Sequence, residues 1–240
     1  MTEISVRERP SPNHAPRDHP PRIDMLVLHY TGMRSAGEAL DRLCDPAARV
    51  SAHYVIEEDG TVWRLVPEAR RGFHAGISCW EREGDLNRVS IGVEIVNPGH
   101  DWGYRPFPEG QMRVVKELCR DIISRHPIPA HRIVGHSDIA PERKSDPGEL
   151  FDWGRLAHAG IGLWPEPGSR AGTVAIDRAR AMENLSNIGY CIAANTEAPV
   201  VAAFQRRFRP ARVDGVIDDE TASRLAEVQA SYACSRKGAV

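Results

Sequence analysis

The order of strand and helix patterns along the chain is the feature that most constrains its fold. Short β-rich runs alternate with amphipathic helical segments up to Trp164, and no convincing strand pattern follows that residue. Strand patterns occupy 23–31, 90–96 and 131–136, a hairpin around an Asp-Gly turn occupies 53–66, and helical spacing occupies 35–45, 109–126 and 150–160. Interleaved strands and helices predict an α/β fold, with a mixed central β-sheet flanked by helices.

The two ends of the chain have a different composition from this central part. Residues 1–22 are rich in proline and charge and are predicted to form an extended N-terminal arm. Residues 165–172, PEPGSRAG, have the composition of a linker, and 173–240 carry helical patterns only. We therefore expect a first domain at 23–164 and a small helical domain after it. A helical unit of this size has a marginal core, so it should pack against the first domain.

Charge and hydropathy bear on the class of partner and on the compartment. The formal net charge of -2 gives no basic field that would recruit nucleic acid or anionic lipid, so neither nucleic acid nor membrane is expected as a partner. The N-terminus contains no apolar run of the kind that a signal peptide needs, and no later segment approaches the length of a membrane span. The sequence thus predicts a cytoplasmic protein, and it leaves the oligomeric state open.

The cysteines carry a second prediction about the compartment. There are five of them, widely spaced and without any C-x-x-C pair: Cys44, Cys79, Cys119, Cys191 and Cys234. An odd number at such spacing argues against a disulfide framework and against a thiolate zinc site. We predict reduced thiols, most of them in the core.

The loop GHSDIAPERKSDPG, residues 135–148, concentrates charged side chains between prolines that cannot continue a helix. Such clusters are usually solvated surface, but this one offers His136 and Asp146 as possible metal ligands. Two ligands are too few for a catalytic zinc site, which uses three protein ligands and a water. His29, at the end of the first strand, could be the third. On the residues alone, His29 could also be a hydrogen-bonded edge residue and Lys144 an ordinary surface lysine.

Glu94 is the second unusual residue. It lies within the strand 90–96 and points away from the face that carries Ile91, Val93 and Ile95. A carboxylate within a sheet that is covered on both sides needs a partner, such as a metal-bound water or an ion pair.

The combination of motifs resembles a known family. MLVLHYT, SAHYVIEEDGTVWRLV, GFHAGISCW, NRVSIGVEIVN and GHSDIAPERKSDPGELFDW occur in the order typical of AmpD/AmiD-like N-acetylmuramoyl-L-alanine amidases. These zinc enzymes are related to the peptidoglycan-recognition proteins, and the resemblance covers roughly residues 23–165. It implies three ligands for Zn²⁺ (His29, His136 and Asp146), two catalytic residues (Glu94 and Lys144) and two residues near the substrate cleft (His74 and Asn87).

The C-terminal part resembles the three-helix peptidoglycan-binding module. LSNIGY, VVAAFQRRF and VDGVIDDETASRLAEV match its patterns, whereas the stretch between the first two, CIAANTEAPV, lacks the usual G-x-x-D-x-x-T. The resemblance therefore implies the fold of the module more firmly than its ability to bind glycan.

Together the two resemblances imply hydrolysis of the amide between the lactyl group of (anhydro)N-acetylmuramic acid and the L-alanine of the stem peptide, in cell-wall recycling. The expected partners are anhydro-muropeptide fragments or peptidoglycan polymer. Two alternatives stay open: a non-catalytic protein that binds peptidoglycan fragments, and a lytic amidase that acts on intact wall. The appended helices favour polymer, and the absence of a signal peptide pattern favours soluble fragments.

Overall fold

The computed structural model describes residues 4–165 and 177–237 of the chain. Most of the predicted linker, residues 166–172, lies outside these ranges, as does the predicted start of the helical domain at 173–176. No helix within the described ranges is long and apolar enough to cross a membrane.

In the described part of the chain, ten strands form one large sheet and two small ones. The strands are β1 Val6–Glu8, β2 His14–Pro16, β3 Met25–Tyr30, β4 Tyr54–Ile56, β5 Val62–Arg64, β6 Arg70–Gly72, β7 Cys79–Trp80, β8 Glu83–Gly84, β9 Ser90–Ile95 and β10 Ile133–Gly135. The six-stranded sheet has the order β1-β5-β4-β9-β3-β10, and β2-β6 and β7-β8 form two-stranded sheets. Within the large sheet only β4 and β5, the predicted hairpin, run antiparallel. The predicted mixed sheet is confirmed.

Within residues 4–165 and 177–237, eight α-helices accompany these strands. They are α1 Ala36–Cys44, α2 Gly99–Trp102, α3 Glu109–Arg125, α4 His136–Ile139, α5 Trp153–His158, α6 Arg178–Ile188, α7 Glu197–Phe208 and α8 Asp219–Lys237. The last three lie among residues 177–237 and are referred to below as the helical segment.

The longest helix of the first domain packs on one face of the sheet. The apolar stripe of α3 meets side chains that alternate along β3 and β9, so that Leu26, Leu28, Ile91 and Val93 share one core cluster with Leu118 of the helix. The alternation in 90–96 predicted this strand face, and the spacing in 109–126 predicted the apolar stripe of the helix. Both predictions are confirmed. The opposite face of the same two strands is the one that leads to the candidate site.

The helical segment covers the other face. Met25 and Val27 of β3 and Val134 of β10 belong to one cluster with fully buried residues of the three helices, such as Phe204 and Leu225. The helical segment therefore packs against the first domain, as its small size predicted.

The N-terminal arm adds edge strands to the first domain. β1 pairs in parallel with β5 at one edge of the large sheet, and β2 pairs antiparallel with β6. Ser11 and Asn13 between them are buried and donate hydrogen bonds to the carbonyls of Leu43 and Asp45. The described part of the arm, from residue 4 onward, therefore lies along the first domain through these pairings and hydrogen bonds.

The predictions about the cysteines are wrong. Cys79 and Cys191 form a disulfide, with their Cα atoms 5.8 Å apart, although reduced thiols were expected. The two cysteines are 112 residues apart in sequence, and only the packing of the helical segment against the first domain brings them together. Spacing along the chain carries no signal for such a pair. Cys44, Cys119 and Cys234 are free. Of the five cysteines only Cys119 is buried, so the expectation that most of them lie in the core is wrong as well.

Candidate metal centre and active site

Three candidate residues lie at the carboxyl ends of neighbouring parallel strands. His29 of β3 is in register with Glu94 of β9, and His136 directly follows β10 on the other side of β3. Side chains at the same register position of parallel strands point to the same face of the sheet. The side chains at the ends of these strands therefore lie side by side. The carboxyl ends of parallel strands are where α/β folds usually form their sites.

His29, His136 and Asp146 meet in a tight triangle of donor atoms. Nδ1 of His29 lies 2.9 Å from Nδ1 of His136 and 3.0 Å from Oδ2 of Asp146, and Nδ1 of His136 lies 3.0 Å from the same oxygen. All three side chains are buried, and they are the one group of possible ligands of this kind in the described part of the chain. The structure thus brings together the three residues that the resemblance implied as ligands.

The triangle fits a tetrahedral cation better than it fits hydrogen bonds. Each Nδ1 carries at most one proton, and two protonated nitrogens would repel each other. One of the three atom pairs therefore always lacks a bridging proton. Donors around a tetrahedral zinc ion at ordinary bond lengths are separated by about 3.3 Å, close to the separations here. Two imidazoles and one carboxylate are also a ligand set that catalytic zinc sites use.

The second nitrogen of each histidine is held so that Nδ1 faces the triangle. Nε2 of His136 lies 3.2 Å from the carbonyl oxygen of Ala75, to which it can only donate. Nε2 of His29 lies 3.1 Å from Nδ1 of His74, whose Nε2 lies 3.3 Å from Oγ of Ser90. Metal-binding histidines typically donate their second N–H in this way, which fixes the tautomer.

The direction of the hydrogen bonds that run from His29 through His74 to Ser90 is set at Ser90. Ser90 Oγ donates to the carbonyl oxygen of Leu86 at 2.6 Å. Ser90 must then accept from His74, and neutral His74 must accept from His29. The lone pair of His29 Nδ1 is thereby left for a ligand in the triangle. His74 fits between the strands because residue 92 is glycine: a Cβ there would lie 2.4 Å from Cγ of the His74 ring.

The ionisation of the site suits a cation. Burial lowers the pKa of His29 to about 4, and His136 acts in the same direction. Burial also lowers the pKa of His74 well below its usual value. Burial acts to raise the pKa of Asp146, but His136 and His29 outweigh it and hold that pKa well below its usual range. Neutral imidazole and ionised carboxylate are the forms that bind metal.

Glu94 lies beside the triangle in the same cavity. It lines a cavity of about 340 Å³ together with His136 and Asp146. Its Oε2 is buried and has no hydrogen-bond partner within residues 4–165 and 177–237. Burial raises the pKa of Glu94 well above its usual value, the charge of Asp146 adds to this, and the charge of Lys144 opposes it. A carboxylate in this setting can accept and release a proton.

Lys144 and Arg143 bring positive charge to the same cavity. The charge of Lys144 acts on both His29 and Glu94. Arg143 donates to the carbonyl oxygens of Ala75 and Ile77, so it ties the 75–77 segment to the loop of the ligands. Arg143 was missed in the sequence, where it looked like one more charge in a polar loop.

The two predicted substrate-cleft residues lie in different positions. His74 lines the cavity, but its ring nitrogens are engaged with His29 and Ser90. Asn87 is buried behind it, where Oδ1 accepts the backbone N–H groups of His74 and Ala75. His74 therefore supports the candidate ligand His29, and Asn87 holds the backbone of His74 in place. Contact of either residue with substrate stays a prediction. Ser90, the residue that orients His74, had no recognisable signal in the sequence.

Asp138 of the same loop is turned away from the cavity. It is almost fully buried, and its carboxylate accepts hydrogen bonds from Gly135 N–H, the Tyr190 hydroxyl and Arg207. Its partners lie 52 and 69 residues further along the chain, so the sequence did not indicate the role of Asp138.

Comparison with known proteins agrees with this geometry. A family model for N-acetylmuramoyl-L-alanine amidase matches residues 19–149. The N-acetylmuramoyl-L-alanine amidase AmiD of Escherichia coli is 37% identical over an alignment that covers 84% of this chain and 80% of that protein. The 1,6-anhydro-N-acetylmuramyl-L-alanine amidase AmpD of Enterobacter cloacae is 35% identical and covers 64% of this chain and 89% of that protein.

Two solved structures are similar over most of their length. AmiD of E. coli, in complex with the substrate anhydro-N-acetylmuramic acid-L-Ala-D-gamma-Glu-L-Lys, superposes with a TM-score of 0.79 at 36% identity, and covers 88% of this chain and 90% of that one. AmpDh3 of Pseudomonas aeruginosa, in complex with anhydromuramic pentapeptide, superposes with a TM-score of 0.82 at 33% identity, and covers 97% and 99%.

Proposed function

The chain belongs to the N-acetylmuramoyl-L-alanine amidase family, and we therefore propose that it is a zinc-dependent amidase of anhydro-muropeptides in cell-wall recycling. The bond cleaved is the amide between the lactyl group of (anhydro)N-acetylmuramic acid and the L-alanine of the stem peptide. The observation that carries the proposal is the triangle of His29, His136 and Asp146, with three donor atoms within 2.9–3.0 Å of one another beneath an open cavity.

The residues around the triangle divide the chemistry between them. A zinc ion held by the three donors would act as a Lewis acid and lower the pKa of water to about 7. Glu94, whose raised pKa favours proton uptake, takes the proton of the attacking water and delivers it to the leaving amine. Lys144 supplies positive charge beside the oxygen that becomes negative, and one well-placed donor of this kind contributes on the order of 3 kcal/mol.

The substrate class rests on the relatives. AmiD and AmpDh3 have been solved with anhydromuramic peptides, and both are similar to this chain over most of its length. We extend that specificity to this protein, with peptidoglycan fragments as its partners. The resemblance of the helical segment to a peptidoglycan-binding module favours a second candidate function, lytic cleavage of intact wall.

The disulfide bears on the compartment in which the protein works. The sequence alone predicts the cytoplasm, but a disulfide between Cys79 and Cys191 is of the kind that forms and persists in oxidising surroundings. We propose on this ground that the folded protein works outside the reducing cytoplasm. Rapid alkylation of acid-quenched cells tests this: both cysteines should resist labelling, and labelling of both as free thiols would refute it.

The experiment that tests the activity compares two substrates under two metal conditions. Purified protein is incubated with anhydro-muropeptide or with intact sacculi, before and after removal of metal by a chelator. We expect free stem peptide from the muropeptide, loss of turnover after chelation and recovery with Zn²⁺. Faster release from sacculi would favour the lytic alternative. Protein that contains no zinc on elemental analysis and is insensitive to chelator would contradict the proposed metal site.

A further inference from the structure

Asp138 connects the metal centre to a distant part of the chain. It lies two residues after His136 in α4, a helix of only four residues that begins at His136 itself. Oδ2 of Asp138 accepts the backbone N–H of Gly135 at 2.8 Å, so the carboxylate folds back over the start of this helix. Because so short a helix has few hydrogen bonds of its own, this contact helps to fix the His136 backbone, together with the pairing of β10 with β3 and the hydrogen bond from Ser137 N–H to the Asp146 carbonyl.

The remaining partners of that carboxylate come from the helical segment. The hydroxyl of Tyr190, just after α6, donates to Oδ1 at 2.6 Å. Nη1 of Arg207, near the end of α7, donates to Oδ2 at 3.1 Å, and its guanidinium stacks over the Trp153 ring at 4.1 Å from the ring centroid. The three polar side chains are each at most 5% exposed.

The charge balance of this cluster depends on the helical segment. Arg207 is the cation paired with Asp138 in the described part of the chain. Without it a buried carboxylate would keep no neutralising charge, which a protein interior tolerates poorly. The carboxylate would move toward water, and it would release Gly135 N–H and the start of α4. His136 is the first residue to move.

We propose that Arg207 and Tyr190 are positioning residues for the metal ligand His136, acting through Asp138; this rests on the proposed function, in that zinc is the ion bound. The helical segment is thus a structural part of the metal centre of this protein. It is more than an appended binding unit, because two of its side chains complete the hydrogen bonding of the ligand loop.

The test measures zinc affinity in full-length variants by competition with a chromophoric chelator. Arg207→Gln should raise the zinc dissociation constant about 10- to 100-fold, the range for residues that support metal ligands. Tyr190→Phe removes a single hydroxyl, so it should fold normally and raise that constant several-fold. The double variant Asp138→Asn, Arg207→Gln carries no unpaired charge and should bind zinc more tightly than Arg207→Gln alone.

Leu225→Ala is the matched control, because Leu225 is fully buried in a core cluster of the helical segment but lies on α8, which supplies none of the hydrogen-bond partners of Asp138. It should lower the melting temperature while it leaves zinc affinity within about twofold of wild type. Equal weakening by Leu225→Ala and Arg207→Gln at matched melting temperature would overturn the proposal, as would unchanged zinc affinity in both Arg207→Gln and Tyr190→Phe. If wild type itself bound no zinc, the proposed function would fail instead.

Discussion

The proton on His29 is decided by a carbonyl group that does not touch it. Leu86 O can only accept, so Ser90, His74 and His29 must all donate toward it in turn. This direction of donation leaves the Nδ1 lone pair of His29 free to bind a metal. His74 then acts as a support for the candidate ligand His29.

Replacement of His74 separates this role from contact with substrate. His74→Phe keeps the ring but removes the acceptor for His29 Nε2, so it should weaken zinc binding by about tenfold. KM for muropeptide, measured at saturating zinc, should change little. Zinc competition and steady-state kinetics on one preparation distinguish the two roles, since a raised KM with unchanged zinc affinity would support contact with substrate instead.

Glu94 is expected to act on protons and not to hold the metal. Glu94→Gln keeps the shape of the side chain and removes its basicity, so zinc content should stay near one per chain while kcat falls by roughly a hundredfold or more. His136→Ala, which deletes a triangle donor, should lose both zinc and turnover. Release of zinc by Glu94→Gln would show that Glu94 is a ligand.

At the scale of single residues, the sequence identified the candidate ligands mainly through motif order. His29, His136 and Asp146 occur in motifs that resemble those of the amidases, and the structure brings them together. Asp138 stands in the same motif, but its function depends on Tyr190 and Arg207, which only the tertiary fold brings near.

Among the elements, Glu68 ties the end of α3 to strand β4. It receives hydrogen bonds from Arg125 and His126 at the helix end and from the Tyr54 hydroxyl. Burial acts to raise the pKa of Glu68, but these donors outweigh it and lower the pKa to about 2.

This lowered pKa makes part of the stability dependent on pH. A folded-state pKa below the unfolded value stabilises the fold above about pH 4.5, and the contribution disappears as pH falls toward 2. Glu68→Gln should therefore lower the free energy of unfolding by about 1–2 kcal/mol at pH 7, after allowance for solvent screening, and the gap to wild type should close toward pH 2. Urea titrations at several pH values measure it.

The exposed pair of Glu58 and Arg105 provides the control for this prediction. Glu58→Gln breaks a contact on the surface and should cost well under 1 kcal/mol at any of these pH values. A pH-independent difference between Glu68→Gln and wild type would contradict the assignment of the effect to ionisation.

Elements with a strong period were predicted with their boundaries nearly correct. α3 and β9 differ from the predicted spans by one residue at the end, because a long apolar stripe or a strict alternation leaves few other arrangements. β1 and β2 were not predicted as strands. Each has three residues in a proline-rich arm, and pairing with β5 and β6 decides their conformation.

On the scale of the whole molecule, one core joins the two parts of the chain. The sheet face of Met25, Val27 and Val134 is covered by the helical segment, and the cluster continues through Phe204 to Leu225. The sequence predicted this contact from size alone, because three short helices bury too little apolar surface by themselves.

Deletion of everything after residue 165 should therefore damage the first domain. It uncovers an apolar face of the sheet. It also removes Tyr190 and Arg207, the two side chains that pair with Asp138. We expect the melting temperature to fall by roughly 10 °C or more and turnover of small muropeptides and of sacculi to fall together. Differential scanning fluorimetry and product analysis measure this. A truncated protein that melts as wild type and loses only its binding to sacculi would show that the helices are an independent binding unit.

The disulfide turns the middle of the chain into a covalent ring. Every peptide bond from Cys79 to Cys191 lies within that ring, so one proteolytic cut there opens the ring without separating the molecule into pieces. A nicked molecule would still migrate near 26.6 kDa without reductant and would divide into two fragments once the bond is reduced. The helical segment and the loop that carries His136 therefore stay on one molecule after such a cut, and damage to the connection between them becomes visible only under reduction.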